Sequence, residues 1–370
     1  MRKCIFYLPY KLDKKAMGAR MVRPRKMIQA FSDIGYDVAT ITGTSQERRP
    51  LIEKVKKEIA QGMHFDFMYT EAHTEPTLLT DPHHLPTHPF LDFGFFRYVK
   101  KHGINIGLFY PDIYWKFDTY GTELPFWKKQ GALLCYRHDV KEYQKLLSKF
   151  YVADLKVCDY LGCDALAAIA SELLPGAEPL TVEHNELRGR DFSKDPLKVF
   201  YVGGLGNNYQ IVELAKAVHS VKNCELTICC REAEWNKEKG NFTPFLDETI
   251  HIVHKSGNEL EEYYHGTDLC SLMIRQNAYI DMAKPFKAFE YLAHERPVLS
   301  TRDTGIGNFV EANDIGWSIE YDAAVIAETL QEIMDAPSVL AEKQKNCAIA
   351  KRSNLWTSRA KQAAADLMRS

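Results

Sequence analysis

The sequence predicts an α/β protein made of two consecutive parallel-sheet domains, and three observations carry that expectation. Apolar strand-like runs alternate with segments of helical period along the whole chain, which is the grammar of βαβ units and of sheets covered on both faces. The alternation stops once, in the polar, charged, proline-ended stretch 191–196, and then restarts. At 370 residues the chain also exceeds the size at which a single core stops growing.

In the first half, 3–9 (KCIFYLP), 36–43 (YDVATITG), 65–71 (FDFMYTE) and 103–115 (GINIGLFYPDIYW) read as strands. Helical patterns at 21–35 and 51–62 lie between the first three. The stretch 143–174 adds helix and strand material, and 179–185 (PLTVEHN) reads as one more short strand. The second half opens with a strand at 197–202 that runs into Gly203-Gly204-Leu205-Gly206-Asn207-Asn208, with a helix beginning at about Tyr209. Strands at 224–230, 249–255, 268–274 and 297–302 and helices at 259–266 and 285–295 complete it. The expected domains are 1–190 and 191–353, with a terminal helix over 354–370 that packs back on the first.

Hydrophobic residues at 45% and charged residues at 26% are the balance of a globular protein. The nine cysteines form no C-x-x-C pair and several sit in apolar runs, which points to a reducing, cytoplasmic setting. The start returns to charge within a few residues and reads as a first strand rather than a secretory signal, and no run approaches the length of a membrane span. Net charge is only −2, and no nucleic-acid partner is expected. Residues 1–30 nevertheless hold nine Lys and Arg against Asp13 alone, a local +8 that suits a solvated face or an anionic acceptor or lipid surface equally well.

A glycine-rich turn between a strand and a helix can receive a phosphate on unpaired amides, although this one lacks the G-x-G-x-x-G spacing of dinucleotide sites. The most specific feature lies further on: Pro285, Lys287, Glu290, Tyr291, Leu292 and Ala293, then Pro297-Val298, then Gly305, Gly307, Phe309, Val310 and Glu311, then Gly316-Trp317. Lys287 and Glu290 are one helical turn apart on one face, so a cation and a carboxylate meet a ligand together. In this order the residues resemble the donor-binding signature of family 4 glycosyltransferases of the GT-B fold.

The resemblance implies two Rossmann-like domains facing a cleft, with the second holding a nucleotide-diphosphate sugar. Glu290 matches the glutamate that binds the ribose hydroxyls, and Lys287 stands among the groups that meet the diphosphate. Many members carry a second glutamate eight positions earlier; here Met282 stands there, with Asp281 beside it. The basic residues that often follow the glycine turn are replaced by Asn207 and Asn208, which leaves Arg231, Arg275 and Lys287 to supply positive charge. In the first domain, Tyr110-Pro111-Asp112-Ile113-Tyr114-Trp115 is similar to the cleft segment of the family, with Pro111 in the histidine place and Asp112 retained. Asp112 would touch an acceptor hydroxyl, Tyr114 and Trp115 would stack on sugar, and Gly18 and Arg20 match a loop that faces the acceptor.

No H-E-x-x-H, Cys/His zinc spacing or D-x-D triplet is present, so no metal and no cofactor are expected, only a UDP-sugar as substrate. The expected activity is hexosyl transfer, with retention and without a metal, to a glycan or lipid-linked acceptor in bacterial surface polysaccharide synthesis. It would take place at the cytoplasmic face of the membrane. A nucleotide-sugar 2-epimerase of the same fold and a non-catalytic partner of this fold stay open beside it.

Overall fold

The computed structural model describes residues 2–13, 18–118, 120–182, 187, 189–206, 209–278 and 280–369. The chain divides into two compact units, Met1–Leu174 with Trp356–Ser370, and Pro175–Leu355.

The first unit is built on a six-stranded sheet: β1 (Arg2–Tyr7), β2 (Tyr36–Ile41), β3 (Phe67–Glu71), β4 (Ile106–Phe109), β5 (Lys149–Val152) and β6 (Ala170–Glu172). The order is β2-β1-β3-β4-β5-β6, all parallel. Its helices are α1 (Ala19–Asp33), α2 (Ser45–Ala60), α3 (Leu91–Lys101), α4 (Phe126–Leu146), α5 (Lys156–Leu161) and α6 (Asp164–Ala167). Cys4, Ile5, Phe6 and Tyr7 of β1 are all fully buried, as a central parallel strand requires. Helix α2 begins six residues before the periodic run starting at Leu51, because Thr44 and Glu47 form a reciprocal capping box. Pro50 then sits inside the helix, where the burial of Ile52, Val55 and Ile59 offsets the backbone bond it removes. The fully buried Arg48 of α2 binds Asp92 of α3 at 3.1 and 3.2 Å and the carbonyl of Pro9 at 2.8 Å. One guanidinium thereby fixes the loop that leaves β1.

The second unit has β7 (Leu197–Val202), β8 (Cys224–Cys229), β9 (Ile250–Val253), β10 (Leu269–Leu272), β11 (Val298–Thr301) and β12 (Gly316–Ile319) in the order β12-β11-β10-β7-β8-β9, again all parallel. Its helices are α7 (Val212–Ser220), α8 (Glu232–Glu238), α9 (Glu261–His265), α10 (Phe286–Ala293), α11 (Gly305–Ala312), α12 (Ala323–Asp335) and α13 (Ser338–Ser353). A final helix, α14 (Trp356–Arg369), belongs to the first unit and packs along α1.

The sequence placed the boundary at 190/191, but the second unit begins at Pro175. The intervening chain is tied to it: the Ala177 amide donates to Asn354 O at 2.8 Å, Lys351 Nζ reaches Leu180 O at 2.8 Å, and Arg190 Nε lies 2.7 Å from Asp268. The strand expected at 179–185 is not formed over 179–182, and 183–185 lie outside the described residues. The sixth strand is instead β6, whose three residues are all only half-buried and so leave little apolar signal.

Candidate donor and acceptor sites

In each sheet the strand order reverses once, between β1 and β3 in the first unit and between β7 and β10 in the second. Such a reversal splays the outgoing loops and opens a crevice at the carboxyl ends of the strands, where open α/β sheets bind ligands.

In the second unit the crevice is bolted from below by Tyr291 of α10. Its hydroxyl accepts the Val202 amide at 3.2 Å and donates to the Ser271 carbonyl at 3.5 Å, joining the ends of β7 and β10. This seats the first turns of α10 at the crevice. There Lys287 Nζ meets Glu290 Oε2 at 2.7 Å, both side chains partly exposed, and the Tyr264 hydroxyl of α9 donates to the same oxygen at 2.9 Å. Burial above all, then Glu290, raises the Tyr264 pKa, so the phenol stays protonated and keeps donating. Tyr264 was not among the residues singled out from sequence; its signal was only an apolar position in a short amphipathic helix.

After β7 the chain turns through Gly203, Gly204, Leu205 and Gly206. Gly206 has φ +113°, which a side chain would strain, and a Cβ at Gly203 would lie 2.7 Å from the Tyr201 hydroxyl. The Leu205 amide donates to Glu234 Oε2 at 3.2 Å, and Arg231 Nη1 holds Glu234 Oε1 at 2.7 Å. Arg231 therefore braces the turn from α8 rather than standing unpaired. Asn207 and Asn208 lie outside the described residues. The helix expected at Tyr209 starts at Val212, because Tyr209 is first drawn into a tight turn with Gly206, its amide 2.7 Å from that carbonyl.

Beside this turn lies a pocket of about 290 Å³ lined in part by Leu205, Gly206, Tyr209, Glu238, Phe242 and Arg275. Arg275 is its one basic side chain among the described residues; it also lies 5.9 Å from the Tyr321 ring, and its amide bonds to Gln210 O at 2.9 Å. Met282, expected to line the donor site, is 5% exposed, a core side chain on a turn of 3₁₀ helix. An apolar thioether is held inside because it has no polar group to bring to solvent. The neighbouring Asp281 does carry a polar group, and its Oδ1 is enclosed with no hydrogen-bond partner among the described residues. No group of three or more potential ligands able to hold a metal occurs among the described residues.

In the first unit, the crevice lies where β1 and β3 end. Gly18 caps α1 there, and Arg20 Nη1 reaches Thr74 Oγ1 at 3.1 Å. His73, which no sequence motif marks, sits at this point, its ring 4.8 Å from that of Tyr10. Its Nδ1 accepts the Glu75 amide at 3.1 Å, so the neutral ring carries its proton on Nε2. Burial first, then the charges of Arg20 and His84, lower its pKa to about 4.

On the neighbouring strand end, Asp112 Oδ1 accepts the Tyr114 amide at 2.8 Å and caps a short 3₁₀ turn. Tyr114 is exposed, as a stacking surface must be. Trp115 is not: it is buried, stacked on Tyr136 at 5.0 Å with its Nε1 donating to Tyr110, and its indole is part of the core rather than an open platform.

Residues 196–336 match the family of glycosyl transferases group 1. No curated protein matches the chain. Among solved structures, sucrose-phosphate synthase (tll1590) from Thermosynechococcus elongatus is 14% identical with TM-score 0.64, covering 98% of this chain and 97% of that one. Anabaena Alr3699/HepE in complex with UDP is 12% identical with TM-score 0.63, with both chains covered in full. WaaG, a glycosyltransferase involved in lipopolysaccharide biosynthesis, is 13% identical with TM-score 0.55, covering 97% of this chain and 98% of that one. At such identities the likeness establishes the fold, GT-B, and the match over 196–336 establishes the domain. The second unit thus carries a glycosyl transferases group 1 domain within a two-unit GT-B fold.

Proposed function

We propose that the enzyme moves a hexosyl unit from a UDP-sugar to a hydroxyl of a glycan or lipid-linked acceptor in bacterial surface polysaccharide synthesis. In this reading it retains the anomeric configuration, needs no metal, and works at the cytoplasmic face of the membrane. The observation that carries the donor half is the Lys287–Glu290 pair, 2.7 Å apart and braced by Tyr264 at the crevice of the second unit. Glu290 takes the ribose hydroxyls, while Lys287 and Arg275 face the diphosphate. Departure of a nucleoside diphosphate concentrates charge on its oxygens, and fixed cations there are worth more in the transition state than in the ground state. UDP is the nucleotide chosen because similar structures of HepE were solved with UDP, with UDP and glucose, and with UDP-glucose. The acceptor half rests on Asp112, Tyr114, Gly18 and Arg20.

The test is transfer of label from a panel of UDP-hexoses into the organic phase of a bacterial lipid extract. Lys287→Ala should lower kcat roughly 100-fold, and Glu290→Ala should chiefly raise the donor KM. Interconversion of UDP-hexoses at C2 with no label transferred would replace transferase by epimerase.

A further inference from the structure

The carboxylate of Glu290 is held by more than its partner on the same helix. Its Oε2 accepts two donors, Lys287 Nζ at 2.7 Å and the Tyr264 hydroxyl at 2.9 Å. Its Oε1 has no hydrogen-bond partner among the described residues, and the side chain is 39% exposed. A carboxylate gripped by one oxygen cannot swing freely, so the direction of the other is set before a ligand arrives. Lys287 alone would not set it, because a flexible stem and a rotatable ammonium follow the carboxylate wherever it turns. The Tyr264 ring, 2% exposed, is the fixed member of the pair.

Tyr264 stands on α9, a helix of five residues, too short to keep its shape unaided. Packing fixes it. Tyr263 and Tyr264 lie against Phe200 of β7, with 5.6 and 5.5 Å between ring centroids, and Arg296 donates to the His265 carbonyl at 3.2 Å. On the side towards α10, the ring of His294 stacks on that of Tyr264, 4.1 Å between centroids and 23° from parallel. Its Nε2 lies 3.0 Å from Glu261 Oε2 in the first turn of α9, and its Nδ1 donates to the backbone carbonyl of Glu290 at 2.8 Å. Glu290 is therefore fastened to His294 through its carbonyl and to Tyr264 through its carboxylate, and the two rings rest on each other. His294 is 7% exposed, so it acts on a ligand through Tyr264 and Glu290.

We propose that Tyr264 and His294 are positioning residues that aim Glu290 Oε1 at the ribose hydroxyls, and that this aim makes the site select ribonucleotides over 2′-deoxyribonucleotides. A nucleotide that lacks the hydroxyl leaves a fixed carboxylate without its donor, whereas a carboxylate free to turn loses little. The inference rests on the donor reading given above and adds to it the residues that decide between ribose and deoxyribose.

The experiment is calorimetric titration of the full chain with UDP and with 2′-deoxyuridine diphosphate, in wild type, Glu290→Ala, Tyr264→Phe, His294→Ala and the last two combined. Tyr264→Phe keeps the ring and its packing. Where His294→Ala fails to fold, His294→Asn, which removes the ring but keeps a donor for the Glu290 carbonyl, takes its place. Wild type should bind UDP at least roughly tenfold more tightly than the deoxy analogue, and Glu290→Ala should bind the two alike. Tyr264→Phe and the His294 variant should each reduce the preference to about threefold or less by weakening UDP alone; a merely structural role would weaken both nucleotides and leave their ratio intact. Adding the His294 substitution to Tyr264→Phe should remove no further selectivity, because both act on one carboxylate. Loss of preference in Glu290→Ala with full preference in Tyr264→Phe or in the His294 variant overturns this inference and leaves the donor reading standing. No binding of UDP by wild type, equal binding of the two nucleotides, or a preference that survives Glu290→Ala overturns the donor reading and this inference with it.

Discussion

His73 shows how a single position acquires a protonation state that its residue type does not announce. It follows the end of β3 by two residues, spends Nδ1 on the Glu75 amide and lies beside Arg20, so its ring is held neutral with Nε2–H as the remaining donor. It stands one strand away from Pro111, where a histidine is absent. The sign of its linkage is definite. The unfolded ring binds a proton below about 6.5 and the folded ring only below about 4, so the unfolded state holds more protons between those values. Stability from this group is complete above 6.5 and is lost as pH falls toward 4, by up to about 3 kcal/mol. His73→Gln should flatten that part of the acid limb in urea melts recorded from pH 7 to pH 4; an unchanged limb would show that His73 protonates freely in the fold. That Lys287 and Glu290 meet was legible in the sequence because their spacing is a helical turn, whereas nothing in a lone histidine after a strand reveals that it lies at a sheet reversal.

Among elements, α10 organises the second unit's crevice more than its length of eight residues suggests. One hydroxyl, on Tyr291, joins it to the ends of β7 and β10, and removing that hydroxyl leaves the buried Val202 amide without a partner. Tyr291→Phe should therefore cost about 1–3 kcal/mol in chemical denaturation and weaken donor binding with it; a stable variant with loose binding would separate positioning from folding. The central strands were legible because a strand covered on both faces reads as a continuous apolar run. β6 was not, since its residues are half-buried at a sheet edge. The start of α7 was misread by three residues because the sequence shows a polar, glycine-ended run but not that Gly206 and Tyr209 close a separate turn. Trp115 was misread for a related reason: an aromatic after a strand looks the same whether it faces a ligand or, as here, a tyrosine of α4.

At the scale of the whole molecule, two parallel sheets could be read from one restart of the strand–helix pattern, while the place where the units divide could not. The polar stretch 191–196 resembles a linker, yet Lys351, Asn354 and Asp268 hold residues 175–190 to the second unit. Composition reports where a chain is hydrophilic; side-chain contacts between distant segments decide where a unit begins. The return of α14 to α1 gives the first unit a part of its core from the far end of the chain, with Ala360, Ala363 and Leu367 fully buried. In the function proposed above, the crevice of the second unit holds a nucleoside diphosphate through Glu290 and Lys287. A ligand bound only by the folded state at about 100 times its Kd stabilises it by about 2.7 kcal/mol. Thermal melting with UDP, GDP, ADP, dTDP and CMP should therefore show stabilisation by UDP above the others, lost in Glu290→Ala. Equal melting with every nucleotide, or a UDP shift that survives Glu290→Ala, would contradict it.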